Sequence, residues 1–147
     1  MNRQPRVRVA AVVVQDTQIL LVRHQKEGQR YWLLPGGGVE FGERMDAALA
    51  REVEEETGLK VRVGPVLFLS ESIPPDVHRH MIQVTFSAEL ISGSLGVGDD
   101  PRLAECRFVS FAELPSLILY PNTKDALMAV LDGRGGPAGQ YLGNLWE

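Results

Sequence analysis

Apolar positions along this chain come mostly in short bursts of strand length. Residues 7–14 are rich in β-branched side chains and predict a buried strand. The polar run Gln15-Asp16-Thr17-Gln18 interrupts it, and residues 19–22 return as a second strand, so the pair predicts a hairpin. Residues 23–30 are polar around Gly28 and predict an exposed loop, and Tyr31-Trp32-Leu33-Leu34 predicts a short strand that stops at Pro35. Further strands are predicted at 59–63 and 66–72, divided by Gly64-Pro65, and at 81–90 and 106–111. Residues 92–102, rich in Gly and Asp, predict a loop.

The period changes to that of a helix in two places. Residues 44–57 carry Met45, Leu49 and Val53 at i, i+4 and i+8, with Gly58 as a stop. Residues 122–131 predict a second helix. Residues 133–147 read as a glycine-rich tail anchored by Tyr141, Leu142, Leu145 and Trp146, which either cover the sheet or close a dimer contact. Mixed strands with two helices predict an α/β or α+β sandwich, and no linker or repeat divides residues 1–147, which are expected to form one domain.

Composition narrows the field. The 147 residues are 44% hydrophobic and 23% charged, as in a globular chain. The net charge of -4 argues against binding a nucleic-acid polymer but not a single nucleotide. Cys106 is the one cysteine, which excludes a disulfide framework and a thiolate zinc site and predicts a cytoplasmic location. No apolar run has the length of a membrane span, so no membrane partner is expected.

The candidate chemistry lies where the two kinds of pattern meet. Pro35-Gly36-Gly37-Gly38 is the sharpest break in the chain, and glycines there would let backbone approach a ligand closely. The helix that follows carries Arg51-Glu52-Val53-Glu54-Glu55-Glu56. At about 100° per residue, Glu52, Glu55 and Glu56 fall within an arc of about 100°, and Glu52 and Glu56 border the apolar stripe. Two carboxylates ~4 Å apart repel by about 4 kcal/mol at an effective dielectric of 20, so such a cluster gathers cations or protons. Hard oxygen ligands favour Mg2+, Mn2+ or Ca2+. A solvated acidic helix face is the plain alternative.

In register, the glycine turn and the acidic helix resemble the Nudix, or MutT-like, hydrolases. The family box is filled by Gly37, Glu43, Arg51, Glu52, Val53, Glu55, Glu56, Gly58 and Leu59. The resemblance implies an α/β/α sandwich with a mixed β-sheet. It also implies Mg2+- or Mn2+-dependent hydrolysis of a nucleoside diphosphate linked to another group. By position, Glu52, Glu55 and Glu56 are expected to bind metal, with the Gly36 carbonyl as a further ligand. Glu52 or Glu55 is expected to be the general base. Arg51 and Glu43 match positions that order the helix and its loop, while Gly37 and Gly58 are structural.

The resemblance also brings in Asp99, Asp100 and Glu105 as late acidic candidates, Asp99 and Glu105 foremost, against their reading as solvated acids. Asn122 is either a helix cap or a base-reading amide. Arg23 and His24 are candidates to meet phosphate, with solvated loop residues as the alternative. Tyr31 and Trp32 read as core, one of them at a pocket edge, and Cys106 as a small buried hydrophobe. His78 and His80 read as an exposed edge. Pro74 and Pro75, in the loop after the box, resemble the ADP-ribose pyrophosphatase subgroup. The expected substrate is therefore ADP-ribose or a nucleotide sugar. The alternatives are a noncanonical or oxidised nucleoside triphosphate and, from another class, a silent nucleotide-sensing module. The expected partner is a small-molecule nucleotide; a homodimer is left open.

Overall fold

A computed structural model describes residues 3–134 and 139–147. The chain forms β1 (Arg6–Gln15), β2 (Gln18–Lys26), β3 (Gln29–Leu33), β4 (Gly36–Gly38), α1 (Met45–Thr57), β5 (Leu59–Ser72), β6 (Met81–Gly93), β7 (Leu103–Ser110), α2 (Lys124–Leu131) and β8 (Gln140–Asn144). A single 3₁₀ turn, Leu114–Ser116, precedes α2.

The strands make a mixed sheet in the order β3-β2-β1-β6-β5-β8, with β4 added to β1 and β7 to β2. β1 runs parallel to β6 from Arg6↔Met81 to Val13↔Ala88. It meets β2 only near their shared turn, at Val14↔Ile19 and Gln15↔Gln18. Beyond those pairs the hairpin splays open, and each strand finds other partners.

Alternation along β1 divides the core in two. Val9, Ala11 and Val13 pack with Ala48, Leu49 and Val53 of α1 on one side. Ala10 and Val12 pack with Leu114, Leu119 and Leu127, around the 3₁₀ turn and α2, on the other. Helices on both faces of a mixed sheet make the α/β/α sandwich. No helix among the described residues is long and apolar enough to cross a membrane.

Several sequence boundaries move, each for a physical reason. The polar stretch 23–30 is mostly strand, because β2 and β3 pair from Val22↔Leu33 to Lys26↔Gln29 around a two-residue turn. Glu27 and Gly28 take φ of 53° and 79° in that turn, as such tight hairpins require. Gly64-Pro65 does not divide β5, which absorbs the proline as a register shift between Val63 and Val66. The expected loop 92–102 loses its first two residues to β6, and β7 begins at Leu103, three residues before the strand expected at 106–111. Glu105 consequently sits inside β7. Met45 is exposed, and Ala48, Leu49 and Val53 supply the buried stripe of α1. α2 begins two residues later than expected. The tail holds β8, which runs parallel to β5; residues 135–138 of that tail lie outside the described residues.

Candidate active site

The open end of the β1–β2 hairpin makes one wall of a cleft of about 1330 Å³. Its lining includes Arg8, His24, Tyr31, Gly36, Gly37, Gly38, Glu52, Glu55, Glu56 and Asp99. Three features of α1 aim its glutamates there. The buried stripe fixes the roll of the helix. β4 crosses in front of it, paired to β1 at Arg8↔Gly38, Val9↔Gly37 and Ala10↔Gly36. The segment 94–98 folds back over its C-terminal end, where the Gly96 amide donates to Thr57 O at 2.9 Å and the Gly98 amide to Glu56 O at 3.1 Å. These bonds satisfy carbonyls that a helix end leaves open. Gly58 closes the helix at φ 77°, its amide donating to Glu54 O.

Each glutamate sits in a different setting. The Glu56 side chain is 12% exposed, and its Oε1 accepts the Gly36 amide at 2.8 Å. The Glu52 side chain is 19% exposed. Its carboxyl group lies so close to Gly37 that a Cβ there would overlap it. Burial, opposed by the bond from Arg51, pushes the Glu52 carboxyl above the ordinary glutamate range. The Glu55 side chain is 59% exposed and faces the open cleft.

Arg51 ties these groups to the loop before the helix. Its Nε and Nη2 donate to the two oxygens of Glu43, both at 2.9 Å, a bidentate pair. Its Nη1 donates to Glu52 Oε1 at 2.9 Å and reaches Glu55 Oε2 at 3.5 Å. Nη2 also donates to Gly38 O at 3.3 Å. This guanidinium holds the Glu43 carboxyl at about 2, well below the usual glutamate value.

Among the described residues, no three carboxylate, imidazole or thiol side chains stand close enough together to hold an ion as they are. Arg51 engages one oxygen of Glu52 and one of Glu55. Among the described residues, Glu52 Oε2, Glu55 Oε1 and Glu56 Oε2 accept no hydrogen bond. His24 Nε2 is buried without a hydrogen-bond partner, 3.9 Å from Glu56 Oε2. Hard oxygen donors with unused lone pairs, beside an unsatisfied buried polar atom, fit a hard divalent cation.

Not every residue singled out in the sequence reaches this cleft. Gly36, Gly37, Glu52, Glu55, Glu56 and Asp99 line it, with Arg51 and Glu43 behind and Gly58 at the helix end. Arg23 does not line it. Alternation along β2 turns Arg23 toward Trp32, 6.0 Å from the ring centroid, and toward Glu105 at 3.8 Å. Glu105 pairs there with Arg107 at 3.0 Å. Asn122 donates to Glu147 Oε1 at 3.2 Å and accepts the Lys124 amide at 3.4 Å, while Thr123 occupies the N-cap. Asp100, on the cleft edge, is held by Arg102 at about 2.

The structure adds residues that sequence reasoning passed over. Arg8 donates to Gln83 Oε1 at 2.7 Å and to Leu34 O at 3.1 Å, deep in the cleft. Burial lowers its pKa, against the attraction of Glu56 and Glu52. Tyr120 and Trp146 also line the cleft. Extending the period of β2 to Lys26 would have favoured His24 over Arg23; nothing local marks Arg8 and Gln83 as neighbours.

The sequence pattern of the NUDIX domain matches residues 4–130. An ADP-ribose pyrophosphatase of Methanocaldococcus jannaschii is 37% identical over 114 residues, 77% of this chain and 66% of that protein. A NAD-capped RNA hydrolase of Deinococcus radiodurans is 31% identical over 134 residues, 87% of this chain and 45% of that protein. The chain thus spans about two thirds or less of the length of these curated relatives. A solved NUDIX hydrolase of Nitrosomonas europaea superposes with a TM-score of 0.77 at 25% identity, covering 91% of this chain and 93% of that one.

Proposed function

The chain belongs to the Nudix family, and from that premise we propose a divalent-metal-dependent pyrophosphohydrolase acting on a nucleoside diphosphate linked to another group, ADP-ribose or a nucleotide sugar foremost. The observation that carries this reading is the convergence of Glu52, Glu55 and Glu56 on one cleft beside the Gly36–Gly38 strand. The identity shared with an ADP-ribose pyrophosphatase supports the choice of substrate.

Glu52, Glu55, Glu56 and the Gly36 carbonyl would hold Mg2+, with Mn2+ as the alternative. When bound, such an ion neutralises the oxygens that shield a diphosphate and acidifies a water beside them. The chain's own groups do the rest. Glu52 or Glu55 takes the proton of the attacking water, Glu55 from the exposed side and Glu52 from the half-buried one. Arg51 orients Glu52 through Nη1. Arg8, held by Gln83 and Leu34, brings a fixed positive charge to the diphosphate without needing to reorganise. Asp99 is the loop acid retained as a substrate contact.

The test is a product-identified hydrolysis panel with Mg2+ and with Mn2+. It compares ADP-ribose, sugar nucleotides, dinucleoside polyphosphates, and normal and oxidised triphosphates. ADP-ribose is expected to give AMP and ribose 5-phosphate. Release of pyrophosphate from triphosphates alone would favour the triphosphate reading, and no turnover of any compound would favour a silent sensor. Glu52→Gln, Glu55→Gln and Glu56→Gln are each expected to lose roughly 100-fold or more in kcat with the fold retained. Wild-type rates in all three would reject the assignment.

A further inference from the structure

The cleft runs on past the glutamates to Trp146, in the segment that follows β8, which takes no part in the chemistry above. Docking of β8 on β5 is specific. Leu145 N donates to Glu71 O at 2.8 Å. The Asn144 side chain accepts from Ile73 N at 2.9 Å and donates to Ile73 O at 3.0 Å. Tyr141 donates to one oxygen of Glu71, and the other meets His80 Nε2 at 2.6 Å. From the far side, Asn122 and the Tyr120 hydroxyl hold Glu147. The residue between these anchors is Trp146, its amide donating to Asn144 Oδ1 at 3.1 Å.

Trp146 lines the cleft together with Arg6, Ser72 and Arg79. The Arg79 guanidinium lies over the indole, 5.0 Å from its centroid, and His78 meets the ring edge-on at 88°. A cation over the ring fixes it, and the half-buried indole keeps exposed surface on the cleft it lines. Among the described residues Arg79 and Arg6, which both line this end of the cleft, make no ion pair. The other aromatic end is already used within the protein, since Tyr31 packs between His24 and Tyr120 at centroid distances of 5.8 and 5.7 Å.

We propose that Trp146, backed by Arg79, is the stacking surface for the nucleobase of the substrate, which makes the segment that follows β8 the specificity element of the cleft. The proposal rests on the nucleotide reading above and says which part of the cleft recognises the base. A base stacked on an aromatic side chain gains enough that its removal is felt as roughly a ten- to hundredfold loss of affinity.

The experiment is a binding measurement, independent of turnover. Calorimetry compares AMP with ribose 5-phosphate, which lacks the base, on wild type, Trp146→Ala and Trp146→Phe. Wild type is expected to bind AMP at least tenfold tighter than ribose 5-phosphate. Trp146→Ala is expected to lose roughly ten- to a hundredfold toward AMP and nothing toward ribose 5-phosphate, and Trp146→Phe to recover most of the loss. In the wild type, AMP is expected to quench tryptophan emission, because Trp32 is buried outside the cleft and Trp146 is the responsive ring. That measurement stands even if the alanine variant does not fold. No preference of the wild type for AMP, unchanged AMP affinity in Trp146→Ala, or equal losses for both ligands would overturn the proposal. An unaltered KM for ADP-ribose in Trp146→Ala would do the same while leaving the hydrolase reading intact. A protein inert toward every diphosphate would still report on Trp146 through AMP.

Discussion

At Gly37 the chain has no room for a side chain, because a Cβ would overlap the Glu52 carboxyl group. The neighbouring Gly38 has open space at the same point. Neither has a positive φ, so alanine strains the backbone at neither. The two positions therefore separate one effect cleanly. Gly37→Ala is expected to displace Glu52 and lower kcat by roughly 100-fold, the scale of a 1 Å misplacement in an active site. Gly38→Ala is expected to keep activity within a few-fold. Steady-state kinetics with parallel melting curves check both, and equal kinetics in the two variants would remove Glu52 from the reacting geometry. Both glycines are legible in the sequence as a turn. Their difference is not, because it depends on which one faces a helix that starts eight residues after Gly37.

Among the elements, α1 was the most readable, since everything that makes it is local: apolar spacing, a run of residues that favour helix, and a glycine in the left-handed region at its end. Its entry depends on a contact between turns, the clasp of Arg51 on Glu43. That clasp holds the Glu43 carboxyl at about 2 in the folded protein, against 4.5 for a free side chain. A carboxylate with a lowered folded pKa stabilises fully above its unfolded value, and the contribution is lost as pH falls toward the folded one. Glu43→Gln is therefore expected to lower Tm at pH 7. The gap to wild type should narrow below about pH 4.5 and close near pH 2. Melting curves across that range check it, and a gap independent of pH would mean that the clasp does not stabilise as an ion pair. The strands were less readable for the opposite reason. β5 reads as two strands because Gly64-Pro65 looks like a break, yet β6 pairs on both sides of it. β8 lies in a glycine-rich stretch, and β5, its partner, supplies the ladder that its own composition does not announce. Arg8 and Gln83 meet only because β1 runs parallel to β6, a pairing that no local pattern reports.

At the scale of the molecule, the cleft and the stability of the fold have separate origins. The cleft exists because β1 and β2 part company after two pairs and draw in different neighbours. α1 keeps its place beside that opening through Ala48, Leu49 and Val53, all fully buried, and through the backbone bonds of the 94–98 segment. Burying such side chains stabilises by about 1.5–3 kcal/mol each for the larger ones, and none of it requires an ion. Small domains organised around a structural metal behave otherwise and unfold when it is removed. Chelation is therefore expected to abolish turnover and leave the far-ultraviolet circular dichroism unchanged, with Mg2+ restoring the rate. Because Glu52, Glu55 and Glu56 repel one another in the unloaded cleft, Mg2+ with nucleotide should raise Tm by the ordinary linkage of a ligand that binds only the folded state. If chelation instead unfolded the protein, the glutamates would be holding the helix in place rather than serving the reaction. Scaffold and chemistry would then share one set of residues rather than be separate.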